Sequence, residues 1–66
     1  MLDDRKREIV RCFADCDMNV AATAKRLHVH RNTVVYHLEQ IYKKTYLDPT
    51  RFYDLIRLLE IAEAET

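Results

Sequence analysis

The 66-residue sequence contains no glycine, no tryptophan and a single proline, Pro49. Glycine is the preferred residue of tight hairpin turns, so its absence leaves little material for a β-hairpin fold and suits short helices joined by brief connections. No apolar run approaches the roughly 20 residues of a membrane span, and no signal-peptide pattern is present. The expectation is a cytoplasmic protein without a membrane partner. Cysteine is scarce as well. Cys12 and Cys16, four positions apart, read as small apolar residues on one helical face. A disulfide between them is not expected within a helix, and with His28, His30 and His37 they form no recognised zinc-ligand spacing. No nucleophile–base pair or carboxylate pair stands out, and so short a chain has little room for a pocket. Neither an enzyme nor a cofactor is expected.

The length bounds the chain to one domain, residues 1–66, near the lower limit for a self-supporting core. Hydrophobic residues at 48% and charged residues at 33% give a globular balance rather than a disordered one. Net charge is zero, but its distribution is uneven. Residues 1–18 sum to −1 and residues 47–66 to −3. The middle, residues 19–46, carries Lys25, Arg26, Arg31, Lys43 and Lys44 against Glu39 alone, a net +4, and holds all three histidines. A basic segment in a neutral chain is compatible with an anionic partner on one face.

Apolar periodicity predicts an all-α fold of four short helices, at about 3–15, 20–27, 31–44 and 49–63. In the first, Leu2, Ile9, Phe13 and Cys16 form a stripe flanked by Val10 and Cys12, with Asp3 or Asp4 as the cap. Asn19 caps the second, whose Val20, Ala24 and Leu27 share a face; its alanines permit close approach of another helix, while Lys25 and Arg26 point outward. In the third, Val34, Leu38, Ile41 and Thr45 point one way and Asn32, Val35, Tyr36, Glu39 and Lys43 the other. The fourth is predicted to start with Asp48 as cap and Pro49 at its first position. Its apolar stripe is Phe52, Leu55, Ile56 and Leu59, widened by Tyr53, Leu58 and Ile61 beyond the needs of one small core.

The second and third helices meet at "LHVHRN", a join of three to four residues. That is the pattern of a helix-turn-helix, whose second helix enters the DNA major groove. The geometry gives the charges a use. Arg31, Asn32 and Val35 are the candidates for base contacts, arginine suiting the guanine acceptor pair and asparagine suiting adenine. Lys25, Arg26, His30, Thr33 and Tyr36 are the candidates for contacts to the DNA backbone. With no glycine to end the second helix, His28 is expected at positive φ. Val29 is expected to tuck between the helices and His30 to cap the third.

The stretch "NVAATAKRLHVHRNTVVYHLEQI", followed by "LDPTRFYDLIRLL", resembles the C-terminal DNA-binding domain of PucR-like transcription factors, the regulators of purine catabolism and sugar-diacid use. The resemblance spans about residues 9–60. Its most specific parts are N-x-x-x-T-A-x-x-L-x-V-H-R-N-T-V and the later L-D. It implies a Fis-like helix-turn-helix that reads double-stranded DNA at the end of a longer bacterial regulator with sensory domains, this chain being that module alone or a small relative. Where the family commonly reads T-V-R-Y-R-L, this sequence has "TVVYHL". Val35 and His37 thus replace two arginines, which implies weaker affinity or a different sequence preference. The family usually has glycine after the third helix, where Tyr46 stands here. A second reading is a helical protein-interaction module that kept the fold and lost DNA affinity, as the missing arginines and zero net charge would suit. The wide apolar face of the fourth helix also points to a homodimer, with two recognition helices about one DNA turn apart.

Overall fold

The computed structural model describes residues 2–65. It has the expected four helices: α1 (Asp4–Asp15), α2 (Val20–Leu27), α3 (Arg31–Thr45) and α4 (Phe52–Ala64). α1 is the hub and packs against α2, α3 and α4; α2 also packs on α3. The core follows from the periodicities. Leu2, Ile9, Val10 and Phe13 meet Ala24 of α2, Val34, Leu38 and Ile41 of α3, and Leu55, Leu58 and Ala62 of α4. Val20, Leu27 and Val29 pack against it from the side.

Each helix boundary has a local cause. Asp3 caps α1, its carboxylate accepting the Lys6 backbone N–H at 2.8 Å. That bond favours the ionised form and lowers the Asp3 pKa. Asn19 caps α2 by accepting from the Ala22 N–H at 2.9 Å. His30 caps α3 through its Nδ1, which accepts from the Asn32 N–H at 3.0 Å.

Three helices end without glycine by placing ordinary residues in the left-handed region. At the end of α1, Asp17 (φ 57°) and Met18 (φ 61°) both lie there. Met18 N–H donates to the Phe13 carbonyl at 2.8 Å and Asp17 N–H to the Ala14 carbonyl at 3.2 Å, the paired bonds of a Schellman motif. α2 ends the same way. His28 has φ 58° and ψ 42°, and Val29 N–H donates to the Ala24 carbonyl at 3.0 Å while His28 N–H donates to the Lys25 carbonyl at 3.2 Å. Tyr46, in the place of the family's glycine, ends α3 at φ 60°. A β-carbon at such a position is held there at a cost, so His28→Gly is expected to be neutral to stabilising, by up to about 1 kcal/mol. Chemical denaturation of the two proteins measures this; clear destabilisation would mean that the imidazole holds the turn by contacts of its own.

Two expectations for the fourth helix are corrected. It begins at Phe52, not at Pro49. Asp48 does not cap it: its Oδ1 accepts from the Thr50 N–H at 2.9 Å and the Thr50 hydroxyl at 2.6 Å. Arg51 N–H donates to the Asp48 carbonyl at 3.0 Å, closing a turn with buried Pro49 at its second position. Proline's fixed φ suits that position as well as the first residue of a helix. Asp54, in the first turn of α4, reaches back to accept the Asp48 N–H at 3.0 Å. The buried stripe is also rotated. Leu55, Leu58 and Ala62 face α1, whereas Phe52, Tyr53 and Ile56 are exposed and Leu59 and Ile61 half-buried. Leu55 belongs to both possible stripes, and small Ala62 lets α4 come close enough for its carbonyl to accept from Arg11 Nη2 at 3.2 Å.

Candidate nucleic-acid interface

The segment from Lys25 to Tyr36 combines a helix end, a three-residue join and the first turn and a half of the next helix. Within it Lys25, Arg26, His28, His30, Arg31, Asn32, Val35 and Tyr36 are exposed, and Thr33 is half-buried. The alternation has a simple origin. Val34, Leu38 and Ile41 turn into the core and are buried, so the residues between them are turned out. Val35 is 37% and Tyr36 58% exposed, large side chains that the fold leaves uncovered.

The start of α3 is electropositive for two reasons. Its first turn contains no acidic residue, so the positive end of the helix dipole meets no carboxylate of its own helix there. Among the described residues, Lys25 and Arg31 enter no ion pair within 4 Å; the ion pairs seen all involve α1, such as Arg5–Glu8 at 3.0 Å. Arg31 stands at the helix start beside His30. Because the His30 Nδ1 accepts the capping bond, the neutral ring carries its proton on Nε2, which makes that outer nitrogen a donor. Arg26 has a close side-chain partner, its Nη1 donating to Cys16 Sγ at 3.9 Å.

The two positions of α3 that depart from the T-V-R-Y-R-L pattern lie differently. Val35 sits on the exposed face, at the rim of an apolar groove of about 360 Å³ also lined by Val20, Leu38, Tyr42 and Pro49. His37 is half-buried on the side towards α1. Its Nδ1 is buried and has no hydrogen-bond partner among the described residues, and its ring packs edge-on against Tyr36 at 5.4 Å. Burial pushes its pKa down, and the positive charges of Lys6 and Arg5 push in the same direction.

Sequence reasoning placed Thr23 in the N-x-x-x-T-A motif but gave it no role. It is wholly buried where α2 crosses the bundle, and its hydroxyl donates to the Asn19 carbonyl at 2.7 Å. That bond satisfies the hydroxyl inside its own helix, so a polar residue stands where the apolar pattern has a gap. Nor did it foresee the surroundings of the cysteines. Both are free thiols, Cys12 buried and Cys16 half-buried. Among the described residues no group of three or more His, Cys, Asp or Glu side chains is placed to hold a metal ion, and no helix is long and apolar enough to cross a membrane.

No curated protein and no solved structure matches the chain. Residues 7–62, from within α1 almost to the end of α4, match the model of the PucR C-terminal helix-turn-helix domain, and with a match over most of its length the chain belongs to that family.

Proposed function

We propose that this chain is a single helix-turn-helix module that binds double-stranded DNA sequence-specifically, as the DNA-reading part of a cytoplasmic bacterial transcription regulator. The observation that carries the reading is the exposed start of α3, whose first turn has no acidic residue, with Arg31 and Lys25 in no ion pair among the described residues. In this reading α3 lies in the major groove, with Arg31, Asn32 and Val35 towards base edges. Lys25, Arg26, His30, Thr33 and Tyr36 meet the phosphates and sugars, and His28 makes the turn between the two helices. Sensory domains of a longer chain would supply the signal.

The test is a gel shift on random-sequence duplex at low and moderate salt, followed by selection of bound duplexes. Binding that weakens steeply with salt is expected. Val35→Arg is expected to tighten non-specific binding, because it adds a cation to the face turned towards the groove. Unchanged affinity at low salt would place residue 35 away from DNA. The second reading, a protein-interaction module, is favoured by one observation, the apolar groove beside Val35. Absence of a shift on any duplex at low salt would favour it.

Pairing of two copies is part of the proposal. Phe52, Tyr53 and Ile56 lie exposed along α4, and Glu60 and Glu63 continue that face towards its C-terminal end. An antiparallel, two-fold pairing of α4 helices centred on Ile56 brings those carboxylates to the positive N-terminal end of the partner helix. Sedimentation at tens of micromolar is expected to show a dimer that Ile56→Glu dissolves. A purely monomeric profile, with selected sites lacking dyad symmetry, rules the pairing out.

A further inference from the structure

The end of α1 carries chemistry that DNA binding does not use. Cys12 Sγ and Cys16 Sγ lie 3.9 Å apart. The Arg26 guanidinium of α2 donates to Cys16 Sγ, also at 3.9 Å, and Cys12 Sγ approaches the Thr23 carbonyl at 4.0 Å. Two thiols and a cation from the neighbouring helix therefore share one spot, and a cation beside a partly accessible sulfur is the setting of a reactive thiol. Inside a regular helix, β-carbons four residues apart stand about 5–6 Å from each other, beyond the roughly 3.5–4.5 Å of a disulfide. Cys16, however, lies just past the helix, which ends at Asp15; its φ of −95° and ψ of 22° already depart from helical values. The residues after it are in the left-handed region. Cys16 N–H makes the last i→i−4 bond of the helix, to the Cys12 carbonyl at 2.9 Å, while the Cys16 carbonyl accepts the Asn19 N–H at 3.1 Å outside the helical ladder.

We propose that Cys12 and Cys16 form a reversible redox dithiol, Cys16 being the thiol that attacks the oxidant and Cys12 the one that resolves it. With a peroxide as oxidant, the Cys16 thiolate attacks one oxygen, the O–O bond breaks, and the departing oxygen takes a proton and leaves as water. The resulting sulfenic acid is attacked by the Cys12 sulfur. An S–S bond forms, the S–O bond breaks, and the hydroxide leaves as a second water after taking the Cys12 proton. The dithiol loses two electrons and two protons, and the peroxide is reduced to two waters. The order follows from exposure: Cys16 is half-buried, whereas Cys12 is 8% exposed, and burial pushes the Cys12 thiol pKa up, which suits the thiol that acts second. Closing the sulfurs from 3.9 Å to about 2.05 Å pulls on the last turn of α1, and a strained disulfide is a readily reduced one. It also removes the sulfur that Arg26 holds. A difference in DNA affinity between the oxidised and reduced chains follows only if Arg26 contacts phosphate, and so rests on the DNA reading; formation of the disulfide does not.

The test is exposure of the reduced 66-residue chain to hydrogen peroxide, with intact mass, thiol titration and a non-reducing gel. The expected result is a monomer lighter by two hydrogen atoms, with no free thiol, restored by dithiothreitol. Cys12→Ser is expected to stop at a sulfenic acid on Cys16 that a dimedone probe captures, and Arg26→Ala to slow the reaction several-fold. Two titratable thiols persisting after treatment, disulfides formed only between chains, or Cys16→Ser leaving Cys12 as fast to oxidise would each overturn the proposal. A gel shift of both redox forms runs in parallel. DNA binding that fails in both, with the disulfide formed, counts against the DNA reading and leaves the dithiol standing.

Discussion

Replacing Arg31 with alanine is expected to cost roughly 1–3 kcal/mol of DNA affinity and to relax preference at one base position. The expectation comes from place as much as from residue type. Arg31 is the first residue of α3, is exposed, and has no carboxylate within ion-pair distance among the described residues. In the proposed complex, a guanidinium there would span the two acceptors of guanine without first giving up an ion-pair partner among the described residues. Lys25→Ala or Arg26→Ala provides the contrast. A phosphate contact carries no sequence information, so its loss weakens all duplexes alike and flattens the salt dependence. Titration of each variant against the selected site and single-base variants of it distinguishes the two behaviours. Equal weakening of every duplex by Arg31→Ala would make Arg31 a phosphate contact.

Phe13→Ala is expected to remove a large part of the chain's stability, about 3–5 kcal/mol. Phe13 is 1% exposed and lies on α1, the helix that packs against the other three. Truncating such a side chain costs about 3–5 kcal/mol, while a chain of this length has roughly 3–10 kcal/mol of stability altogether. Circular dichroism against temperature and urea measures the loss. Ile9→Val at a neighbouring, fully buried position serves as the graded control, at about 0.5–1.5 kcal/mol. A melting temperature lowered by only a few degrees in Phe13→Ala would mean that the α1 contacts do not hold the bundle together.

How far the sequence could be read depended on how many structures each pattern allows. Asn19 before an alanine-rich segment, and Leu27 followed by a residue that tolerates positive φ, leave few alternatives, and the bounds of α2 and the left-handed His28 follow directly. The same holds for Val34, Leu38 and Ile41, whose burial turns Arg31, Asn32, Val35 and Tyr36 outward. Asp48-Pro49 was ambiguous because proline serves the second position of a turn and the first position of a helix equally well. The register of α4 was ambiguous because Leu55 belongs to two apolar stripes and only the position of α1 selects between them. The candidate site itself was legible as a set of exposed residues. The inward lean of His37, the buried Thr23 hydroxyl and the approach of Arg26 to Cys16 were not, since each depends on where one helix crosses another.

The glycine-free helix ends also bear on what holds the joins in place. Asp17, Met18, His28 and Tyr46 occupy backbone conformations that an isolated chain visits rarely. The joins are therefore not pre-formed hinges around which finished helices swing together. They are held by the packing of α1 against α2 and α3, with Phe13 in the core and Val29 packed against it. Short segments such as α2 and α3 alone lack that docking partner, and a helix as short as α2 is marginal by itself. A peptide of residues 19–45 is accordingly expected to lose the fixed angle between its helices. The orientation of α3 is thus a property of the whole bundle, set by α1 packed against both α2 and α3.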